Sequence, residues 1–360
     1  MFAQILGNSN RLQSLDFLRG CAITIVFLTH FGIFDLQAIG VDLFFVLSGH
    51  LVSMSLLSTL KKSEGKTSYK IFFIKRLFRI IPSYYAFLII GYALAWLLLK
   101  DISPSDIPLP SEFPQYFFFY RNYGGPPSRW SMEHLWSLCV EEQFYWILPI
   151  MLAIFSYRIR RKEDRLLASA LTLLATGLLL KGQAMVTDFA EWPTYTHNRL
   201  DAFGWGMLLT VFRKDEYYHG RGLFNRQSLV AGGVGTLVCC LTILSPLPEL
   251  VLRIISPICW FFIIAGIYQT SSKAFTPFRI VAFFSYGIYL WHYLFVIPVQ
   301  HNWGKGWLAF LIYTICTLFF AVLSTFLIER PFLTYRDKFL KEIFPTKPSS
   351  TLKSPEVPIP

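Results

Sequence analysis

The sequence predicts an all-α, polytopic integral membrane protein of about ten transmembrane helices, and three observations carry that prediction. First, the 360 residues are 54% hydrophobic and only 15% charged, with a mean hydropathy of +0.46, whereas a soluble domain carries about 25% charge. Second, apolar runs long enough to cross about 30 Å of hydrocarbon, which takes roughly 17 to 25 helical residues, recur along the chain. Third, the basic residues alternate between those runs as loops on the two sides of a membrane do. Aromatic residues reach 18%, with 35 Phe, 18 Tyr and 10 Trp, which suits rings that fill a bundle and anchor its ends at the interfaces. This composition excludes disorder over most of the length. The net charge of +11 does not point to nucleic acid, because the basic residues sit between apolar runs instead of forming one patch.

In chain order the spans run from Phe17 to Phe34, Gly40 to Leu60, Leu77 to Leu99, His134 to Tyr157, Leu166 to Leu180, His197 to Phe212, Leu229 to Leu244, Leu250 to Ile267, Ile280 to Val299 and Trp307 to Ile328. With the N-terminus inside, 26 of the 33 Lys and Arg residues fall in cytoplasmic segments, and only Lys100, Arg121, Arg129, Lys181, Arg199, Arg253 and Lys305 lie on the other side. Both termini are therefore expected in the cytoplasm. The first span is no cleavable signal peptide, since Asp16 and Arg19 interrupt it and no small-residue cleavage site follows. The external stretch from Lys100 to Glu133, with Pro104, Pro108, Pro110, Pro114 and then Gly124-Gly125-Pro126-Pro127, is long enough for a lid or re-entrant element. A transmembrane domain is expected over 1–344 and a disordered cytoplasmic tail over 345–360, with no second soluble domain and no internal repeat. Cys21, Cys139, Cys239, Cys240, Cys259 and Cys316 all lie in apolar segments without ligand spacing, so neither a disulfide framework nor a metal site is expected.

An ionisable side chain at the centre of a membrane helix costs about 2.5–3.5 kcal/mol on insertion scales, so each one is a functional candidate. In the first span, eleven residues separate His30 from Arg19, about 16 Å along the axis. That puts the arginine at the cytoplasmic boundary and the imidazole near mid-bilayer. Two readings of His30 are open: a general base toward a hydroxyl, or a histidine bonded to a neighbouring helix for packing alone. The third helix is expected to open with Lys75-Arg76-Leu77-Phe78-Arg79, with Pro82 in its first turn. Arg76 and Arg79 share a face and form either a phosphate clamp or positive-inside charge against lipid headgroups. In the fourth span His134, Ser137 and Glu141 fall at i, i+3 and i+7 with Tyr145 one turn further, so all four can point into one cavity. Glu142 lies about 100° around that helix, toward a neighbour. Arg199 and Asp201 open the sixth span, and their spacing of two argues against a mutual pair. Ser285 to His292 puts serine, tyrosine and histidine at helical spacing, mostly accounted for by an interfacial Tyr and Trp belt. Glu329-Arg330-Pro331 reads as a helix end with a local charge pair.

These stretches resemble the membrane-bound acyltransferase family 3, the O-antigen acetylase-like enzymes. The resemblance runs from about Arg11 to Pro331. It is carried by Leu15-Asp16-Phe17-Leu18-Arg19-Gly20 with His30, by Gly40-Val41-Asp42-Leu43-Phe44-Phe45-Val46-Leu47-Ser48-Gly49, and by Lys75-Arg76 through Arg79 and Pro82. His134-Leu135-Trp136-Ser137 through Glu141-Glu142-Gln143-Phe144-Tyr145, and Ser285-Tyr286 with Tyr289-Leu290 and His292, complete it. The family's arginine, ten intervening residues and histidine are met by Arg19 and His30, and its arginine pair by Arg76 and Arg79. His50 departs from the aromatic residue usual after Ser-Gly, and Cys139 from the serine common before Val-Glu-Glu.

The resemblance implies transfer of an acyl group, usually acetyl, from a coenzyme A thioester to a hydroxyl of an envelope or exported glycan such as lipopolysaccharide O-antigen, in a bacterial inner membrane. Acyl-CoA is then a co-substrate, with no tightly bound cofactor and no metal. The partners are a glycan or glycolipid acceptor and membrane lipid. His30, Glu141 and Glu142 are expected to carry the chemistry, and Arg19, Arg76 and Arg79 to hold the anionic donor at the cytoplasmic mouth. Asp16, Asp42, Ser48, His134, Ser137, Tyr145, Arg199, Asp201 and His292 are expected to support the site. The pantetheine arm would carry the thioester toward His30, with Glu141 or Glu142 orienting the base or the acceptor. Direct transfer and an acylated-residue intermediate are both open. The rival class is a transporter or glycan flippase with a buried His and Glu relay, but no inverted repeat with paired broken helices is visible.

Overall fold

A computed structural model describes residues 13–34, 36–62, 66–124, 130–187, 194–214, 223–242, 249–268 and 270–344. The expected tail over 345–360 and the Gly125-Pro126-Pro127 segment lie outside the described residues. Every regular element among the described residues is helical. The main ones are α1 (Gln13–Phe31), α2 (Gln37–Lys62), α3 (Lys66–Leu99), α4 (Trp136–Phe155), α5 (Lys162–Thr187), α6 (Leu200–Lys214), α7 (Arg226–Thr242), α8 (Glu249–Ile267), α9 (Thr276–Phe283), α10 (Ser285–Trp291), α11 (Val296–Trp303), α12 (Trp307–Ser324) and α13 (Arg330–Ile343).

Six helical stretches among the described residues are long and apolar enough to cross a bilayer, and a seventh is available if the bent pair Lys273–Phe283 and Ser285–Trp303 counts as one span. The chain is therefore a multi-pass membrane protein, but the count of about ten is not confirmed. The physical reason is length: α6 has 15 residues, α7 has 17, and the apolar part of α8 covers only Leu252–Ile267. The ninth expected span is not continuous either. It breaks at Phe284 with a 50° bend, and a 3₁₀ turn over His292–Phe295 follows α10.

α1 ends where the chemistry requires a stop. Gly32 takes φ +90°, its N–H donates to Thr29 O at 2.9 Å, and the Ile33 N–H donates to Leu28 O at 3.1 Å, the paired bonds of a Schellman cap. His30 thus stands in the last turn of α1, eleven residues beyond Arg19. α3 has 34 residues, about 51 Å of helix, which exceeds the hydrocarbon thickness of about 30 Å. It begins at Lys66, so Pro82 lies inside it and not in its first turn. Its N-terminal part is covered by α13, with the Phe78 ring 5.8 Å from Tyr335 and 6.1 Å from Phe339. Small residues let α2 and α6 touch: a Cβ on Gly49 would stand 2.4 Å from Phe203 O, and one on Gly206 would stand 2.1 Å from Val46 O. Such close approach is the usual basis of helix packing in lipid, and here it fixes Ser48 and His50 on either side of Gly49.

The stretch after α3 forms short helical turns pinned onto the bundle. The Tyr84 and Tyr85 hydroxyls donate to the carbonyls of Tyr116 and Phe117 at 2.8 and 2.9 Å. Gln143 donates to Phe119 O at 2.8 Å and to Asn122 at 2.9 Å. Phe119, the one described non-glycine residue with positive φ (56°), stacks on Tyr84, so packing holds a backbone conformation that the residue alone disfavours.

Candidate active site

α1, α2, α3, α4, α10 and α13 enclose a cavity of about 400 Å³, within the range of small-molecule sites. Arg19, Arg76, Arg79 and Arg336 ring one end, Ser48, Glu141 and Tyr145 line the middle, and Ser137 and Tyr289 stand at the far end. Three of the four fourth-span residues predicted to share a cavity do so, because a helical spacing of four keeps Ser137, Glu141 and Tyr145 on one face. His134 does not join them: it sits in a 3₁₀ turn before α4. Glu142 is not among the residues lining the cavity.

Glu141 is held from two sides, by the Ser48 hydroxyl at 2.5 Å and the Tyr145 hydroxyl at 3.1 Å. Arg76 lies between two rings, 5.7 Å from Phe72 and 5.2 Å from Tyr145, and its Nε is buried without a hydrogen-bond partner among the described residues. Arg79 is different. It is ion-paired with Glu329 and lies 5.9 Å from the Tyr286 ring. The expected local pair between Glu329 and Arg330 is therefore corrected: Arg330 lies instead over Phe283 at 4.4 Å. A π-turn over Thr325–Glu329 shifts the register that turns Glu329 inward. Arg19 donates to Ser285 at 3.3 Å and lies 4.0 Å from Asp16.

Behind Ser137 and Tyr289 lies a cluster of three imidazoles. His292 Nδ1 donates to the carbonyls of Ile288 at 3.0 Å and Tyr289 at 2.8 Å. In a neutral ring its Nε2 then carries the lone pair and accepts from His30 Nδ1 at 2.8 Å. That chain of bonds places the basic lone pair of His30 on Nε2. His134 donates from Nε2 to Leu290 O at 3.1 Å, and its Nδ1 is buried with no partner among the described residues. Tyr289 joins the two groups. Its hydroxyl is 2.6 Å from Ser137 Oγ and donates to the His134 carbonyl, while its ring lies 5.7 Å from that of His292. Tyr289 was discounted as part of an aromatic belt; its spacing from Ser285 and His292 was the signal that could have found it. Among the described residues no set of three His, Cys, Asp or Glu side chains is placed to hold a metal ion.

The remaining charged residues form a separate group. Arg199 pairs with Asp42 at 2.8 Å, and Lys181 bonds both oxygens of Asp201 at 2.8 and 2.7 Å and the Arg253 carbonyl at 2.8 Å. All four side chains are at most 2% exposed. As their spacing implied, Arg199 and Asp201 do not pair with each other. Lys181, read as a loop residue, is instead buried. His50 is also buried and bonds Thr210 and Tyr268, both at 2.8 Å. None of these residues lines the cavity.

A family model described as an acyltransferase domain matches residues 12–329. A Bacillus subtilis protein with the provisional name peptidoglycan O-acetyltransferase YrhL is 25% identical over 357 residues, covering 90% of this chain and 55% of its own length. O-acetyltransferase OatA of Staphylococcus aureus is 24% identical over 334 residues, covering 87% of this chain and 55% of its own. The chain thus spans about half the length of the curated relatives it matches. No solved structure matches the chain significantly.

Proposed function

We infer that this chain, which belongs to the acyltransferase family, moves an acetyl group from acetyl-CoA to a hydroxyl of an envelope glycan in a bacterial cell membrane. The observation that supports this most is the arginine-ringed cavity that runs to Glu141. A coenzyme A thioester is anionic at one end and extended, so guanidiniums at the mouth suit its phosphates and a channel suits its arm. Arg76 is the strongest candidate clamp, since no described carboxylate is ion-paired with it and its Nε is buried without a hydrogen-bond partner among the described residues, although Glu141 and Glu142 lie near enough to feel its charge.

Beyond the cavity, the hydrogen-bond chain from the carbonyls of Ile288 and Tyr289 through His292 supports His30 as the proton acceptor for the acceptor hydroxyl. His30 is half-buried and stands at the end of α1 opposite Arg19, where a glycan arriving from the other side would meet it. The hydroxyl oxygen attacks the thioester carbonyl carbon, the C–S bond breaks, and the thiolate of coenzyme A leaves with the proton relayed from His30. Glu141, held by Ser48 and Tyr145, orients the donor side and not the base. The relatives' names speak for O-acetylation, and one of them for peptidoglycan, so peptidoglycan takes precedence over lipopolysaccharide as the acceptor class to test.

Purified protein supplied with acetyl-CoA and a peptidoglycan digest should release free thiol and acetylated glycan. A transporter or flippase would turn over no thioester, and that result would reject the reading. The donor side is tested by topology. In a background lacking the native cysteines, an impermeant reagent should label Ser111→Cys in intact cells and Arg161→Cys only after lysis. Labelling of position 161 from outside would reverse the proposed entry of coenzyme A.

A further inference from the structure

We propose that a second chamber beside the cavity holds the phosphates at the nucleotide end of the donor, so that the enzyme discriminates between a full coenzyme A thioester and one that ends at pantetheine. The inference rests on the acyl-CoA reading above and adds a binding subsite to it. The chamber has a volume of about 250 Å³ and borders the larger cavity, with Arg19, Arg79, Leu333 and Arg336 lining both.

Its lining is built for an anion. Arg19, Arg79, Arg330 and Arg336 face Glu329 and Asp337, an excess of two positive charges. Both carboxylates are already engaged, Glu329 with Arg79 and Asp337 with Arg336 at 2.7 Å, so an incoming anion meets guanidinium and not free carboxylate. Thr325 also lines the chamber. It is 1% exposed, and its hydroxyl has no hydrogen-bond partner among the described residues. A buried hydroxyl left unpaired is unfavourable unless a ligand supplies its partner. Thr325 and Glu329, four residues apart in this helical turn, stand on the same wall. α13 supplies the outer wall with Leu333 and Arg336, three residues apart on one face.

Phosphate could also come from an anionic phospholipid headgroup. The donor is favoured because the chamber adjoins the cavity that Glu141 lines, and because Thr325 and Glu329 are buried at 1% and 5% exposure instead of facing lipid.

The test uses the full chain in nanodiscs of neutral lipid. Binding of coenzyme A and of pantetheine, and turnover of acetyl-CoA, acetyl-3′-dephospho-CoA and acetyl-pantetheine, are compared for wild type, Arg336→Ala, Arg336→Lys and Thr325→Val. Arg336→Ala should lower kcat/KM for acetyl-CoA about 10- to 100-fold through KM, and the preference for acetyl-CoA over acetyl-pantetheine should fall by the same factor. Arg336→Lys should recover part of it, since a point charge replaces the fork incompletely. Thr325→Val should weaken coenzyme A binding severalfold. An unchanged donor preference in both Arg336→Ala and Thr325→Val, or an equal loss on both donors, would overturn the subsite. So would an Arg336 effect that appears only when anionic phospholipid is added. Arg336-dependent coenzyme A binding without any wild-type turnover would keep the subsite and reject the acyltransfer reading. Turnover without donor discrimination would do the reverse.

Discussion

The bundle buries two groups of charged residues, and they differ in where their partners come from. In one, Asp42 meets Arg199 and Asp201 meets Lys181, with all four side chains at most 2% exposed and none in contact with the cavity. In the other, Arg76 lies between two aromatic rings with Nε unpartnered among the described residues, and Glu141 takes its hydrogen bonds from hydroxyls, with Arg76 and Arg19 near but not ion-paired with it. The rule that an ionisable group inside a membrane marks a functional site treats the two groups alike. Pairing separates them: a charge whose partner is a second helix ties the fold together, whereas one that opens on a cavity is available to a ligand. Arg79 belongs to both, since it lines the cavity but is paired with Glu329.

The largest expected effect tests the structural half. Asp42→Ala removes the carboxylate that lies 2.8 Å from the buried Arg199 guanidinium; breaking a buried pair by removing one partner costs about 3–5 kcal/mol and should appear as a large drop in melting temperature and yield in detergent. Replacing both partners, with Asp42→Leu and Arg199→Met, should be much milder, because no lone charge remains. If the double variant folds normally yet turns over no donor, the pair serves the chemistry and the division fails. On the other side, His30→Ala should lose about 10²- to 10⁴-fold in turnover with insertion and melting near wild type. Properly inserted protein with full activity would remove His30 from the mechanism.

Much of this is legible in the sequence. A period of 3.6 puts Ser137, Glu141 and Tyr145 on one face, and eleven residues of helix set Arg19 and His30 at opposite ends of α1. What periodicity cannot carry is the identity of a partner on another helix. Glu329 finds Arg79 across 250 residues, and Lys181 finds Asp201 on a helix whose proximity depends on packing at Gly177, where a Cβ would stand 2.7 Å from the Asp201 backbone. The break at Phe284 was hidden for a related reason. The sequence from Ile280 to Val299 is mostly apolar, with Ser285 and His292 as isolated polar residues, and hydropathy is blind to a bend that leaves burial unchanged. That bend sets the orientation of α10, the helix that carries Tyr289 to both the cavity and the imidazoles.

Smaller effects sharpen the open half. Arg76→Ala should raise the apparent KM for acetyl-CoA roughly tenfold or more while leaving that for the acceptor unchanged, and Arg76→Lys should recover it only partly. Arg79→Ala should combine a donor effect with a loss of stability, since Glu329, 5% exposed, would lose its cation. If Arg76→Ala moved only the acceptor KM, the clamp would be misassigned.

The smallest effect is expected at the joint between the two ends. The Tyr289 hydroxyl bonds Ser137 and the His134 carbonyl, so Tyr289→Phe removes two contacts without opening a cavity. A neutral hydrogen bond contributes about 0.5–1.5 kcal/mol net, which predicts a shift of a few degrees in melting temperature and turnover within tenfold of wild type. The ring remains to separate the cavity from His134 and His292. Direct transfer requires only that separation to be crossed by the thioester, so the hydroxyl is dispensable on this account. A folded Tyr289→Phe protein that binds coenzyme A normally but transfers no acyl group would contradict it, because the hydroxyl would then have to take part in moving the acyl group between the arginine end and the histidine end.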